Sequence, residues 1–156
     1  MKTLQLVRSV GVVVAATLLI CACKAVVPTI VPTITLEAPE EGSVFTAGYD
    51  VHFVAVLADS LGLTSYSVQI APKKGEVEAM EGTIPFNYMN TWELQEQKEL
   101  MMHHHEVVIS NDAAEGNYVF TITCTNKAQK ASKLERNITI KKPYIDTTEL
   151  YPVQVQ

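Results

Sequence analysis

From Thr33 to Lys142 apolar and polar residues alternate with a period of two, and turn-forming residues interrupt the alternation at short intervals. Successive side chains of a strand point to opposite faces, so this period marks half-buried β-strands and not amphipathic helices. "TITLEAP" turns Ile34 and Leu36 to one face, and Val44 to Thr46 adds a short edge segment. "DVHFVAVLAD" aligns Val51, Phe53, Ala55 and Leu57, "SLGL" is read as a turn, and "TSYSVQIA" aligns Tyr66, Val68 and Ile70. "TIPFNYMNTWEL" and the histidine-bearing "ELMMHHHEVVIS" come next. Their junction, Gln95 to Lys98, reads either as a hairpin or as a helical turn within "WELQEQKEL". "GNYVFTITCT" places Tyr118, Phe120, Ile122 and Cys124 on one face, and after "NKAQKA" the run "SKLERNITIKK" aligns Leu134, Ile138 and Ile140.

The segment "NDAAEGNY" sets a Gly just before a Tyr at the entry to a penultimate strand. That order resembles the tyrosine corner of immunoglobulin-type sandwiches, in which the phenol bonds back to the preceding backbone. The expected fold is therefore all-β: an immunoglobulin-like antiparallel β-sandwich of about seven strands over residues 33–142, with a C-terminal tail at 143–156. The chain has three cysteines. No disulfide framework is expected, so an apolar core must hold the domain together. Cys124 reads as a small buried apolar residue and not as a nucleophile.

Upstream, Lys2 and Arg8 flank the uncharged run "VGVVVAATLLI", which is too short to span a bilayer and has the pattern of a secretory signal. Its end, "LLICACK", resembles a bacterial lipoprotein signal. That resemblance makes residues 1–22 the signal peptide and Cys23 the lipidated first residue. Residues 23–32, including the proline-stiffened "KAVVPTIVP", then form a tether between lipid and domain. Each buried methylene contributes about 0.8 kcal/mol, so a multi-chain lipid holds such a protein on a membrane durably. Lys24, in place of aspartate after the cysteine, favours the outer membrane; the periplasmic and cell-surface faces stay open. The formal charge of −5 becomes more negative once Lys2 and Arg8 are removed. An acidic domain without a basic stripe is unsuited to nucleic acid.

The triplet His103, His104 and His105 carries the most distinctive chemistry. Carrying the alternation back from inward Val107 and Ile109 puts His103 and His105 on the core-side face at the sandwich rim, with His104 pointing the other way beside Glu106. Two such imidazoles ligate zinc or copper, but zinc wants about four ligands. His52 points outward and is expected to lie nearer Val108 than His104, too far to share an ion, so a third donor is sought in a carboxylate such as Glu99, in a group the sequence does not place, or in a second molecule. The alternative reading makes the triplet rim residues bonded to backbone or water. Phe86, Tyr88, Met89 and Trp92 are concentrated in "IPFNYMNTW". Phe86, Tyr88 and Trp92 read as a partner surface, since aromatics and Met are over-represented at interfaces, or as closure of the core. Asp50, Asp59, Asp112 and Glu115 lack the spacing of a calcium loop. No nucleophile elbow, phosphate loop or zinc-protease motif is present, and no catalytic residues are assigned.

The order of these features resembles an uncharacterised family of Bacteroidetes immunoglobulin-like lipoproteins with a histidine-rich strand. The residues that carry the resemblance are Pro39, Gly42, Phe45 and Gly48; Asp59, Leu63, Ser65, Tyr66, Val68 and Ile70; His103 to His105; and Gly116, Tyr118, Phe120 and Ile122. The resemblance suggests a metal site. The family pattern also carries histidines at the end of the "TSYSVQIA" strand and within the penultimate strand, where this chain has Ala71, Pro72 and Val119. The function expected is that of a non-catalytic envelope module binding or assembling a protein or glycan partner. The alternative is a zinc- or copper-binding lipoprotein that uses the histidine strand.

Overall fold

The computed structural model describes residues 30–144. The expected signal peptide, Cys23, most of the expected tether and the end of the tail lie outside the described residues. Six strands form one curled antiparallel sheet with a single parallel pairing: β1 (Thr33–Ala38), β2 (Ser43–Thr46), β3 (Phe53–Val77), β4 (Tyr88–His104), β5 (Gly116–Asn126) and β6 (Ala131–Lys141). The front half of β3 pairs with β1 and with the end of β4, and its rear half pairs with the start of β4 and with β5. β6 continues the sheet beyond β5, and β2 closes it by pairing in parallel with β6. The curl produces two facing layers, the architecture of an immunoglobulin-like sandwich.

The inward residues read from the alternation form this core. Phe53, Ala55, Leu57, Val68, Ile70, Tyr118, Phe120, Ile122, Cys124, Ile138 and Ile140 are essentially inaccessible to solvent. Burial pushes the Cys124 thiol up to about 11, assisted by the nearby Asp59 carboxylate, which leaves it an inert packing group. No buried side-chain polar atom among the described residues lacks a hydrogen-bond partner.

Two connections differ from expectation. "SLGL" does not end a strand, and Gln95–Lys98 is neither hairpin nor helix. Instead β3 and β4 each run through both layers, and both register shifts in their pairing lie between Ala58 and Ser65. The two strands turn the corner together. Gly62 adopts φ +103, and a Cβ there would sit 2.6 Å from the Glu96 carbonyl oxygen, so only glycine fits. Glu96 itself has positive φ (56). A hairpin would have paired the halves of β4 with each other, whereas both pair with β3, which bends at the same place. The seven-odd expected strands thus become six.

At one end of the sandwich, buried Asn126 donates to Asp59 Oδ2 at 3.0 Å and to the Ile30 carbonyl at 3.1 Å, while its own Oδ1 accepts from the Ala128 and Lys130 amides. Ser132 Oγ donates to the Pro32 carbonyl, so the last tether residues are fastened to the β5–β6 turn. At the other end Tyr118 makes the expected corner: its hydroxyl donates to the Ala114 carbonyl at 2.6 Å and accepts from the Phe86 amide at 3.2 Å. Removing that hydroxyl strands a buried N–H and a buried C=O. Tyr118→Phe is therefore expected to cost about 1–3 kcal/mol by urea denaturation. An unchanged midpoint would show that the corner contributes nothing to stability.

Candidate metal centre

β3 enters the sheet directly after His52, and β4 leaves it at His104. Phe53 lies opposite His104, yet Asp50 lies opposite Val108, so three steps along one strand match four along the other. One extra residue therefore lies between His104 and Val108, a one-residue bulge that breaks the alternation. His105 and Glu106 are both exposed, after which Val107 and Ile109 are again buried. The bulged segment is nevertheless fixed: the Val51 amide bonds the Val107 carbonyl at 2.8 Å, and the Ile109 amide bonds the Tyr49 carbonyl at 3.0 Å.

This bulge corrects two expectations about the histidines. The parity of Val107 and Ile109 does not extend back to His105 and His103, which lie on the outer face. His104 is the one turned inward. It stacks on Phe53 at 5.9 Å between ring centroids, faces Trp92 at 6.0 Å, and approaches the Tyr66 hydroxyl at 3.3 Å. Its Nδ1 lies 3.6 Å from Glu106 Oε1. Burial, with the nearby Glu106 charge, pushes the Tyr66 phenol up to about 12, and its hydroxyl shares a hydrogen bond with His104 Nε2. His104 is engaged through Nε2 and by the rings on either side.

His52 does point outward, as read, but it is not remote. Continuing the Phe53–His104 register places it opposite His105, on the face that now carries His103 as well. His52 Nε2 lies 3.0 Å from His103 Nε2, which lies 3.2 Å from His105 Nε2. All three nitrogens fall within 4.8 Å of one another. Nitrogens around a tetrahedral zinc ion, with bonds of about 2.0–2.1 Å, stand about 3.3 Å apart. The group that joins His103 and His105 is His52 and not Glu99, which pairs with Ala58 farther along β4.

Asp50 completes the arrangement from behind. Its Oδ2 accepts a short hydrogen bond from His105 Nδ1. That bond holds the Asp50 carboxyl below the usual carboxylate range. With the proton on Nδ1, the lone pair of His105 is on Nε2, facing His103. A carboxylate behind a ligating imidazole fixes its tautomer and raises its basicity. The rings are also mutually braced, with His52 stacked on His105 at 5.0 Å and 13°. The signal that could have exposed this site is "DVH" at Asp50–His52: a carboxylate and a histidine on one face at the start of the strand that pairs with the triplet.

The aromatic residues lie elsewhere. Phe86 is buried and gives its amide to Tyr118, whereas Tyr88 and Trp92 are half-buried against the core. Trp92 stacks on Tyr66 at 4.7 Å and 9°. Met89 beside them is exposed, and β4 has no strand on its outer edge among the described residues.

Among solved structures, the chain is similar to fibronectin(III)-like modules of Clostridium thermocellum CbhA, with 16% identity and a TM-score of 0.44. The match covers 72% of this chain and 48% of that one, so it spans about half the length of that structure. No curated protein matches. Residues 21–141 match the family model described as a domain of unknown function, DUF4625, and the chain belongs to that family.

Proposed function

We propose that this protein is a non-catalytic, lipid-anchored envelope module whose ligand is a transition-metal ion, zinc or copper(II), held by His52, His103 and His105. The anchor is Cys23, and the membrane is the outer one; the lipoprotein-like run ending "LLICACK" and the following Lys24 support that placement. An immunoglobulin-like sandwich is compatible with a binding or assembly role, and the fold by itself does not choose the ligand. The observation that carries the metal reading is the convergence of three imidazole nitrogens within 4.8 Å of one another, two of the separations being 3.0 and 3.2 Å, with His105 oriented from behind by Asp50. Imidazole donors suit zinc and copper(II) alike. The acidic balance of the chain adds a long-range attraction for cations.

A protein or glycan partner is the second reading. Half-buried Tyr88 and Trp92, exposed Met89 and the open outer edge of β4 favour it, because an unpaired strand edge invites strand addition.

Calorimetric titration of the purified protein with zinc and with copper(II) should give one site per chain. His52→Ala should abolish stoichiometric binding as fully as a His103→Ala/His105→Ala double variant. Equal binding by wild type and His52→Ala would refute the three-histidine centre. Asp50→Asn keeps all three ligands but loses the carboxylate behind His105, and should weaken affinity about 10–100-fold.

A further inference from the structure

The donor set is incomplete on one side. Three imidazoles supply three positions of a tetrahedral ion, and among the described residues no fourth His, Cys, Asp or Glu donor joins them. Asp50 is engaged with His105 Nδ1. All three histidines are exposed, and the Asp50 and His105 side chains are 43% and 57% accessible, so among the described residues nothing covers the fourth direction. A structural zinc site is closed by four protein ligands, whereas an open position admits an external group. This site lies on the outer face of a sandwich whose buried polar atoms are already satisfied.

The surroundings select the incoming group. The His52 ring forms one wall of a shallow groove of about 400 Å³, lined also by Glu37, Glu40 and Phe45. With Asp50 bonded to His105 on the other side, carboxylates rim the three histidines on two sides. Such a rim disfavours an anionic chelator and favours neutral or cationic nitrogen donors.

We infer that the metal at this centre is exchangeable cargo, passed by direct ligand exchange to an acceptor whose imidazole or amine nitrogen enters the open fourth position. This rests on the three-histidine reading. The acceptor nitrogen bonds to the ion while the protein imidazoles still hold it, and the bonds to His52, His103 and His105 then break in turn. The metal keeps its oxidation state throughout. Transfer is thus second order, its rate set by the acceptor and not by spontaneous release.

Trp92 is the only tryptophan of the chain and touches His104, the neighbour of two ligands, so bound copper(II) should quench its fluorescence. The purified full chain, loaded with one equivalent of copper(II), is mixed in a stopped-flow instrument with increasing L-histidine, and the recovery of Trp92 emission is followed. The expected rate constant rises about tenfold for a tenfold increase in histidine, with no plateau, and at equal concentration exceeds that for the anionic chelator EDTA. A rate independent of histidine concentration would overturn the exchange proposal while leaving the metal centre intact. Quenching that is the same in His52→Ala as in wild type would instead remove the centre itself, and the proposal with it.

Discussion

The antiparallel pairing of β3 with β4 is the constraint on which the rest of the molecule depends. Both strands pass from one layer to the other, and they do so side by side, with the Gly62 backbone against the Glu96 carbonyl. Lys127 locks the same corner from the neighbouring turn: its amide bonds the Gly62 carbonyl at 2.9 Å and its ammonium reaches Glu96 at 2.6 Å. The ion pair is exposed and contributes little by itself. The backbone approach matters more, because any side chain at position 62 would drive the strands apart. Everything beyond the corner, including the start of β3 and the end of β4 where the histidines lie, inherits its register from it.

At that far end a single extra residue decides the chemistry. Without the bulge between His104 and Val108, strict alternation from Val107 would turn His103 and His105 toward the core and leave His52 alone on the outer face. With it, three imidazoles share that face, and His104 alone turns in to pack on Phe53 and Trp92. Bulges occur where a sheet must re-aim a side chain, and here the re-aimed side chain is His105. The surrounding bonds, Val51 to Val107 and Ile109 to Tyr49, hold the bulge in one geometry. The donors are therefore oriented by main-chain pairing and by Asp50.

Much of the fold was legible in the sequence because burial on one face of a strand leaves a period-two trace. Leu57, Ile70, Phe120 and Ile140 are where the alternation puts them. The tyrosine corner was legible from Gly116 and Tyr118 alone, since its partner is the backbone only four residues upstream. Two features were not. A long strand bending between layers looks locally like strand, turn, strand, and "SLGL" carries the turn-like composition that the bend requires. The bulge leaves no trace in composition, because Glu106 is acceptable in either register. The position of His52 depended on that same register, so one misplaced residue separated it from its partners. The histidine cluster was half visible: the residue types stood out, but their convergence was set by a pairing offset that no local pattern records.

The central claim is that His52, His103 and His105 act as one donor set while His104 does not. Side-chain nitrogen NMR of protein labelled with ¹⁵N-histidine, titrated with zinc, tests it most directly. The account predicts that the Nε2 resonances of His52, His103 and His105 shift together and saturate at one equivalent. The proton on His105 Nδ1 should persist and the His104 signals should stay in place. A titration in which His104 moves with its neighbours, or in which His52 does not respond, would contradict it.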